Sequence, residues 1–213
     1  MLQANLYKAF LEGLSARIIV CRDYEEALKA YQVALYAYNA QISLKKPLLC
    51  KETRLHTGDD VRSFFVELVE NLAQLRTFYT DENTILIAPL CSLLYPLPSH
   101  KYCQSLTLEV GKDYQLQMLK DTLIRYGYES VEMIEMEGEV SFRGDIVDIY
   151  PPLSKPYRIS FFGDECEGIS VFSIETQLKE PTSQSALDIA PALFSLEQDE
   201  YESLCEAVEM SDY

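Results

Sequence analysis

The 213-residue chain has no tryptophan, two histidines and eight glycines, and each scarcity closes off a class of chemistry. A loop that cradles phosphate needs spaced glycines followed by lysine and a serine or threonine. The glycines five apart, Gly163 and Gly168, are followed by Ile169 and Ser170, and Asp164, Glu165 and Glu167 lie between them, so a phosphate would be repelled there. The first strand-helix stretch, Arg17 to Asn39, holds no glycine. Six cysteines, at 21, 50, 91, 103, 166 and 205, form no CxxC pair, and with His56 and His100 they show no metal-ligand spacing. No GxSxG element is present, and His100 and Cys103 share a Pro-rich loop without a third catalytic member. No run reaches the ~18 apolar residues of a membrane span. The opening MLQANLYKAF has neither a basic n-region nor an apolar h-region, so the expectation is a reduced, cytoplasmic protein that is not an enzyme and carries no cofactor or metal.

Positive charge is also scarce: 18 basic residues stand against 34 acidic, a net charge of −16. The imbalance is uneven. Residues 1–104 hold 11 of each sign, so the whole excess lies in 105–213, with 23 acidic and 7 basic side chains. A break of this kind marks a domain boundary near residue 104. The acidic half is unsuited to nucleic acid, and its few arginines stand out.

What is present reads as alternating helices and strands up to residue 104. Leu2 to Leu14 has helical spacing, and Arg17 to Cys21 reads as a buried strand. Asp23 with Glu26 forms a capping box for a helix running to about Asn39. Tyr24, Tyr31 and Tyr38 recur every seven residues on that helix; a base-stacking stripe is one reading, and core packing is the expected one. Pro47 to Cys50 and Thr84 to Ala88 read as further strands. Between them Asp59 and Asp60, beside His56, precede a helix of about Val61 to Tyr79; two carboxylates at a helix N-terminus explain the pair without a metal. Such alternation implies a parallel sheet with helices packed on it.

From residue 105 the pattern changes. Ser105 to Val110 reads as a strand, Lys112 to Tyr126 as a helix stopped by Gly127, and Glu135 to Gln177 as an antiparallel meander of short apolar runs between turn signals. In Arg158-Ile159-Ser160-Phe161-Phe162, period two puts Ile159 and Phe161 on one face and Arg158, Ser160 and Phe162 on the other. Arg143, next to Gly144, also falls on the outer face of its strand. Two arginines and a phenylalanine are the residue types that carry protein interfaces. Neutralising the crowded acidic sheet is the alternative role for the arginines, and an inward turn the alternative for Phe162. Residues after Gln177 read as a loop, and Leu196 to Met210 as an acidic helix.

The segments GEVSFRGDIVDIYPP, PYRISFFGDECE and VFSIETQ resemble the UvrA-interaction module shared by the repair helicase UvrB and the transcription-repair coupling factors (Mfd). The ending, Phe172 to Gln177, is closer to the coupling factors, and TGDDVRSFF (Thr57 to Phe65) and ILIAPLCSLLYPLP (Ile85 to Pro98) resemble their N-terminal region. Two departures are mild, Tyr150 before the proline pair and Cys166 in the GDE-x-E turn. The resemblance implies an α/β fold: a degenerate helicase-like, UvrB-like lobe with a parallel sheet and no phosphate loop over 1–104, then an α+β UvrA-interaction module with an antiparallel sheet over 105–191. Residues 192–213 would begin a following, truncated lobe. It implies a non-catalytic region that recruits UvrA, through Arg143, Arg158 and Phe162, to damage at stalled RNA polymerase. RNA polymerase and DNA would be bound through domains not present here, and a C-terminal domain would mask the surface. The alternatives are a fragment of a UvrB-type ATP-dependent helicase subunit, for which a phosphate loop is missing, and a structural or autoinhibitory scaffold.

Overall fold

The computed structural model describes residues 2–52, 65–94, 98–193 and 195–211. Thr57 to Asp60, with His56, lie outside them, as does the expected start of the helix that follows. The chain divides into two compact units, Met1–His100 and Lys101–Tyr213.

In the first unit, helices α1 (Leu2–Leu11), α2 (Tyr24–Asn39) and α3 (Phe65–Thr80) alternate with strands β1 (Ile18–Cys21), β2 (Lys46–Leu49) and β3 (Thr84–Pro89). The strands form a parallel sheet in the order β1-β3-β2. All six residues of central β3 are buried, as a strand covered on both faces requires. Ile85 and Ile87 face the core formed with α1 and α2; Leu86 and Ala88 face Leu75 of α3. The short helix α4 (Leu90–Leu93) follows directly.

Asp23 caps α2 as its sequence announces: its carboxylate accepts from the Glu26 amide at 2.9 Å. Glu26 reaches back one residue further than a capping box requires, accepting from the Arg22 amide at 2.8 Å. The buried face of α2 is not the tyrosine stripe. It is Ala27, Ala30, Ala34 and Ala37, and Tyr38 is exposed. Small side chains let the helix backbone lie close to the sheet, and of the tyrosines Tyr31 packs, partly buried, at the margin of that core. The expectation of a buried β1 is also corrected: Ile18 and Val20 are exposed, because β1 is an edge strand whose Ile19 and Cys21 alone turn toward the helical core. Arg17 ties this edge to the end of α3, its guanidinium donating to the carbonyls of Phe78 (2.6 Å) and Asp81 (3.0 Å) while lying 4.4 Å from the Phe78 ring centre.

The second unit starts with β4 (Leu106–Glu109) and α5 (Leu116–Arg125), which ends at Gly127 with φ +80°. The helix starts later than its periodicity suggests because the preceding residues pair with a neighbouring hairpin: the Gly111 and Tyr114 amides donate to the carbonyls of Cys166 and Asp164, each at 2.7 Å. Then come β5 (Glu129–Ser130), β6 (Glu139–Arg143), β7 (Ile146–Ile149), β8 (Tyr157–Phe162), β9 (Glu165–Phe172), β10 (Lys179–Gln184), β11 (Ala186–Ile189) and α6 (Gln198–Ser211). The expected meander is β6 to β9, the core of a six-stranded sheet in the order β10-β9-β8-β7-β6-β5. The stretch after Gln177 is not a loop. β10 extends the large sheet and β11 pairs with β4 in a second, two-stranded sheet. β10 carries only exposed or half-buried side chains and includes Pro181, so it has no apolar alternation to reveal it.

Candidate protein-interaction site

The large sheet has two unlike faces. One gathers Val140, Val147, Ile149, Tyr157, Ile159 and Phe161, all buried. Lys120 of α5 lies 5.6 Å over the Phe142 ring and places that helix on this side. The other face carries Ser141, Arg143, Asp148, Arg158, Ser160 and Ser170, brought into rows by the strand register: Ser141 opposite Asp148, Asp148 opposite Arg158, Arg158 opposite Ser170.

Asp148 is the hub of that second face. Its side chain is 2% exposed, and its two oxygens accept from Arg158, Nε to Oδ1 at 2.6 Å and Nη2 to Oδ2 at 2.8 Å, the bidentate fork that guanidinium and carboxylate planes favour. Arg143, at the end of β6, donates through Nη2 to the same Oδ2. Arg158 is held on two further sides. Nη1 donates to the Gln177 carbonyl at 2.9 Å, and the guanidinium lies 4.7 Å from the centre of the buried Phe172 ring. Donating to Asp148 raises the pKa of Arg158 further above its already high value. This arrangement also explains the segment that closes the meander: Gln177, at φ +58°, turns its carbonyl toward Arg158 while its amide donates to the Ser173 carbonyl at 2.8 Å.

The three residues singled out by alternation therefore differ in availability. Phe162 lies at the end of β8, one row beyond Ser160, with 75% of its surface exposed. The side chain of Arg143 is 43% exposed and that of Arg158 only 12%. Arg143 and Arg158 meet through Asp148. Phe162 does not touch that network; a register shift between Ser160 and Phe161 and the turn at Gly163, φ +61°, carry it past the row. Gly163 thus serves a hairpin. Asp148, Phe172 and Gln177 were not visible as site residues; the signal for Asp148 was a carboxylate inside the apolar run Ile146–Ile149.

Elsewhere in this unit Glu200 of α6 accepts from Lys101 Nζ at 2.7 Å and from the Tyr102 hydroxyl at 2.8 Å. The Lys101 bond, followed by that of Tyr102, pulls the Glu200 carboxyl down to about 2. In the first unit a groove of about 470 Å³ is lined by Tyr7, Gln32, Val33 and Tyr36, with no charged lining group. No helix among the described residues is long and apolar enough to cross a membrane.

Residues 106–193, from β4 to just past β11, match the family described as UvrB interaction domain. Two Helicobacter pylori transcription-repair-coupling factors are 42% identical to the chain over 99% of its length, which is 21% of theirs. The chain belongs with the N-terminal region of the transcription-repair-coupling factors. A Bacillus subtilis transcription-repair-coupling factor is 30% identical over 81% of the chain and 14% of its own length. The chain thus spans about a fifth of the length of the two curated Helicobacter coupling factors. The matched UvrB interaction domain contains Arg143, Asp148, Arg158 and Phe162, and the alignment with the Helicobacter coupling factors runs through the residues of the parallel-sheet unit as well.

Proposed function

We propose that this region is a non-catalytic docking platform that recruits the excision-repair protein UvrA to lesions where RNA polymerase has stalled. In this reading residues 1–104 are a degenerate UvrB-like lobe that supports the platform and 105–191 are the module that binds. Arg143 and Arg158 give charge-assisted hydrogen bonds to acidic groups of UvrA, and Phe162 fills an apolar pocket. RNA polymerase and DNA are partners of other parts of the coupling factor, a C-terminal domain masks the surface until it is needed, and the protein works in the cytoplasm.

The observation that carries this reading is Phe162, a phenylalanine 75% exposed at the end of a strand whose neighbour Phe161 is 4% exposed. An aromatic left in water on the same sheet as a half-exposed arginine has the composition of an interface anchor. Calorimetric titration of the chain with purified UvrA tests it, with Arg143→Ala, Arg158→Ala and Phe162→Ala in parallel. Micromolar or tighter binding is expected, weakened by about 2 kcal/mol or more for Phe162→Ala, roughly thirtyfold in Kd. A folded chain that leaves UvrA unbound would sink the proposal.

A further inference from the structure

Asp148 is the one carboxylate among the buried polar side chains of the described residues, and two arginines of the same face, one half-exposed and one nearly buried, converge on it. With 2% of its side chain exposed, it cannot meet a partner laid on that face. We propose that Asp148 is the positioning residue of this surface: it holds Arg143 and Arg158 in the arrangement a partner protein reads, Arg158 being completed as a clamp by Phe172 and the Gln177 carbonyl. The inference rests on the docking reading above for its partner, but the clamp itself is a property of this chain.

Three observations separate positioning from mere charge balance. Asp148 takes both arginines on its two oxygens, so the pair cannot move independently. Arg158 spends contacts on β7, on the β9–β10 turn and on Phe172, which fixes its plane. The Arg143 side chain is 43% exposed and has Asp148 as its one anchor among the described residues, so its direction depends on where Asp148 holds it.

The consequence runs against simple electrostatics. Asp148→Asn keeps the shape and leaves an extra net positive charge on a face that meets acidic groups. A charge effect alone would tighten UvrA binding and quicken association. Positioning instead demands weaker binding, because guanidinium groups that wander must be ordered again on docking.

The test titrates UvrA with the full chain as wild type, Asp148→Asn, Arg143→Ala and the double variant, with thermal melts to confirm that each is folded at the titration temperature. Asp148→Asn is expected to bind about tenfold more weakly, and to cost clearly less than about tenfold when added to Arg143→Ala, because only Arg158 is then left to misplace. A full loss of about tenfold in both backgrounds would show that Asp148 does not act through Arg143 and overturn that half of the proposal. Unchanged or tighter binding by folded Asp148→Asn overturns the proposal. Should that variant unfold, Asp148→Glu keeps the charge and shifts the carboxylate by one methylene; its expected loss is about threefold, and wild-type affinity overturns the proposal equally. Phenylglyoxal labelling without UvrA reads the clamp alone. Arg158 should be protected in the wild type and labelled in whichever of the two variants is folded. Failure of wild-type chain to bind UvrA removes the docking reading, whereas equal labelling of Arg158 in wild type and variant removes the clamp.

Discussion

The parallel sheet of the first unit and the six-stranded sheet of the second are made from much the same apolar residues and differ in what they expose. In the parallel sheet, β3 (Thr84–Pro89) is buried at every position, and helices take up both of its faces. In the antiparallel sheet, β8 alternates along its length, Tyr157, Ile159 and Phe161 buried while Phe162 stands in water. Connection explains the difference. Parallel strands need crossovers, and the crossover helices cover the faces; hairpin-connected strands need none, so on one face Arg143 and Phe162, at the strand ends, stay in water although Ser141 and Asp148 are buried. The surface with an interface's composition therefore arose on the sheet built from hairpins, and the first unit reads as a support.

That contrast breaks first in the cores. Ile87→Ala on β3 and Phe161→Ala on β8 remove fully packed side chains, and each is expected to destabilise its own unit by about 3 to 5 kcal/mol in chemical denaturation. If the units unfold separately, each variant shifts only its own transition. A single shared shift would show that the two sheets unfold together.

The helix-to-sheet spacing of the first unit comes next. Ala30 is 1% exposed on the face of α2 that packs into the core with β3. Ala30→Leu should overpack it by about 1 to 3 kcal/mol, measured by urea denaturation, whereas Tyr38→Leu on the exposed flank should change stability by less than about 0.5 kcal/mol. Similar effects from both would return the tyrosines to the core.

These alanines show where sequence patterns stop being informative. Tyr24, Tyr31 and Tyr38 and the alanines both fit helical periodicity, and the choice between them depends on how near the helix lies to the sheet, which no periodicity states. Alternation in β8 correctly places Phe162 outside, because the side-chain period of a strand is a local property. It also places Arg158 outside, and there it misleads. Whether an outward guanidinium is free depends on its cross-strand neighbour, and Asp148 becomes that neighbour only through a register set by the Pro151 to Pro156 connection. The cap at Asp23, the buried run of β3 and the meander were legible because each is encoded within a few residues. The strand β10 was not, because its side chains face water and carry no pattern.

The acidic unit adds a prediction in pH. Glu200 joins α6 to Lys101 and Tyr102, and its folded-state pKa near 2 lies below the ordinary 4.5. A carboxyl whose pKa is depressed on folding contributes stability that is present above the unfolded value and lost as pH falls through the folded one. The stability difference between wild type and Glu200→Gln should hold above pH 4.5 and close as pH drops toward 2, read from melts across that window. The groove side of the first unit, with no charged lining group, offers a control: Gln32→Ala there should show no such dependence.

The smallest expected effect is the most diagnostic. Phe162 is 75% exposed and adjoins Phe161 at 4%, so the same substitution at neighbouring positions should give opposite results. Removing an aromatic ring that water already surrounds leaves no cavity, so Phe162→Ala should alter folding stability by less than about 0.5 kcal/mol, a shift of at most 2 °C or so in Tm for a chain of this size. Its cost belongs to binding instead. A large loss of stability would mean that Phe162 is packed within the fold in solution, and the anchor of the proposed interface would be gone. A neutral or slightly raised Tm, beside a large loss of UvrA affinity, would show that this phenylalanine is kept in water for a partner and not for the fold.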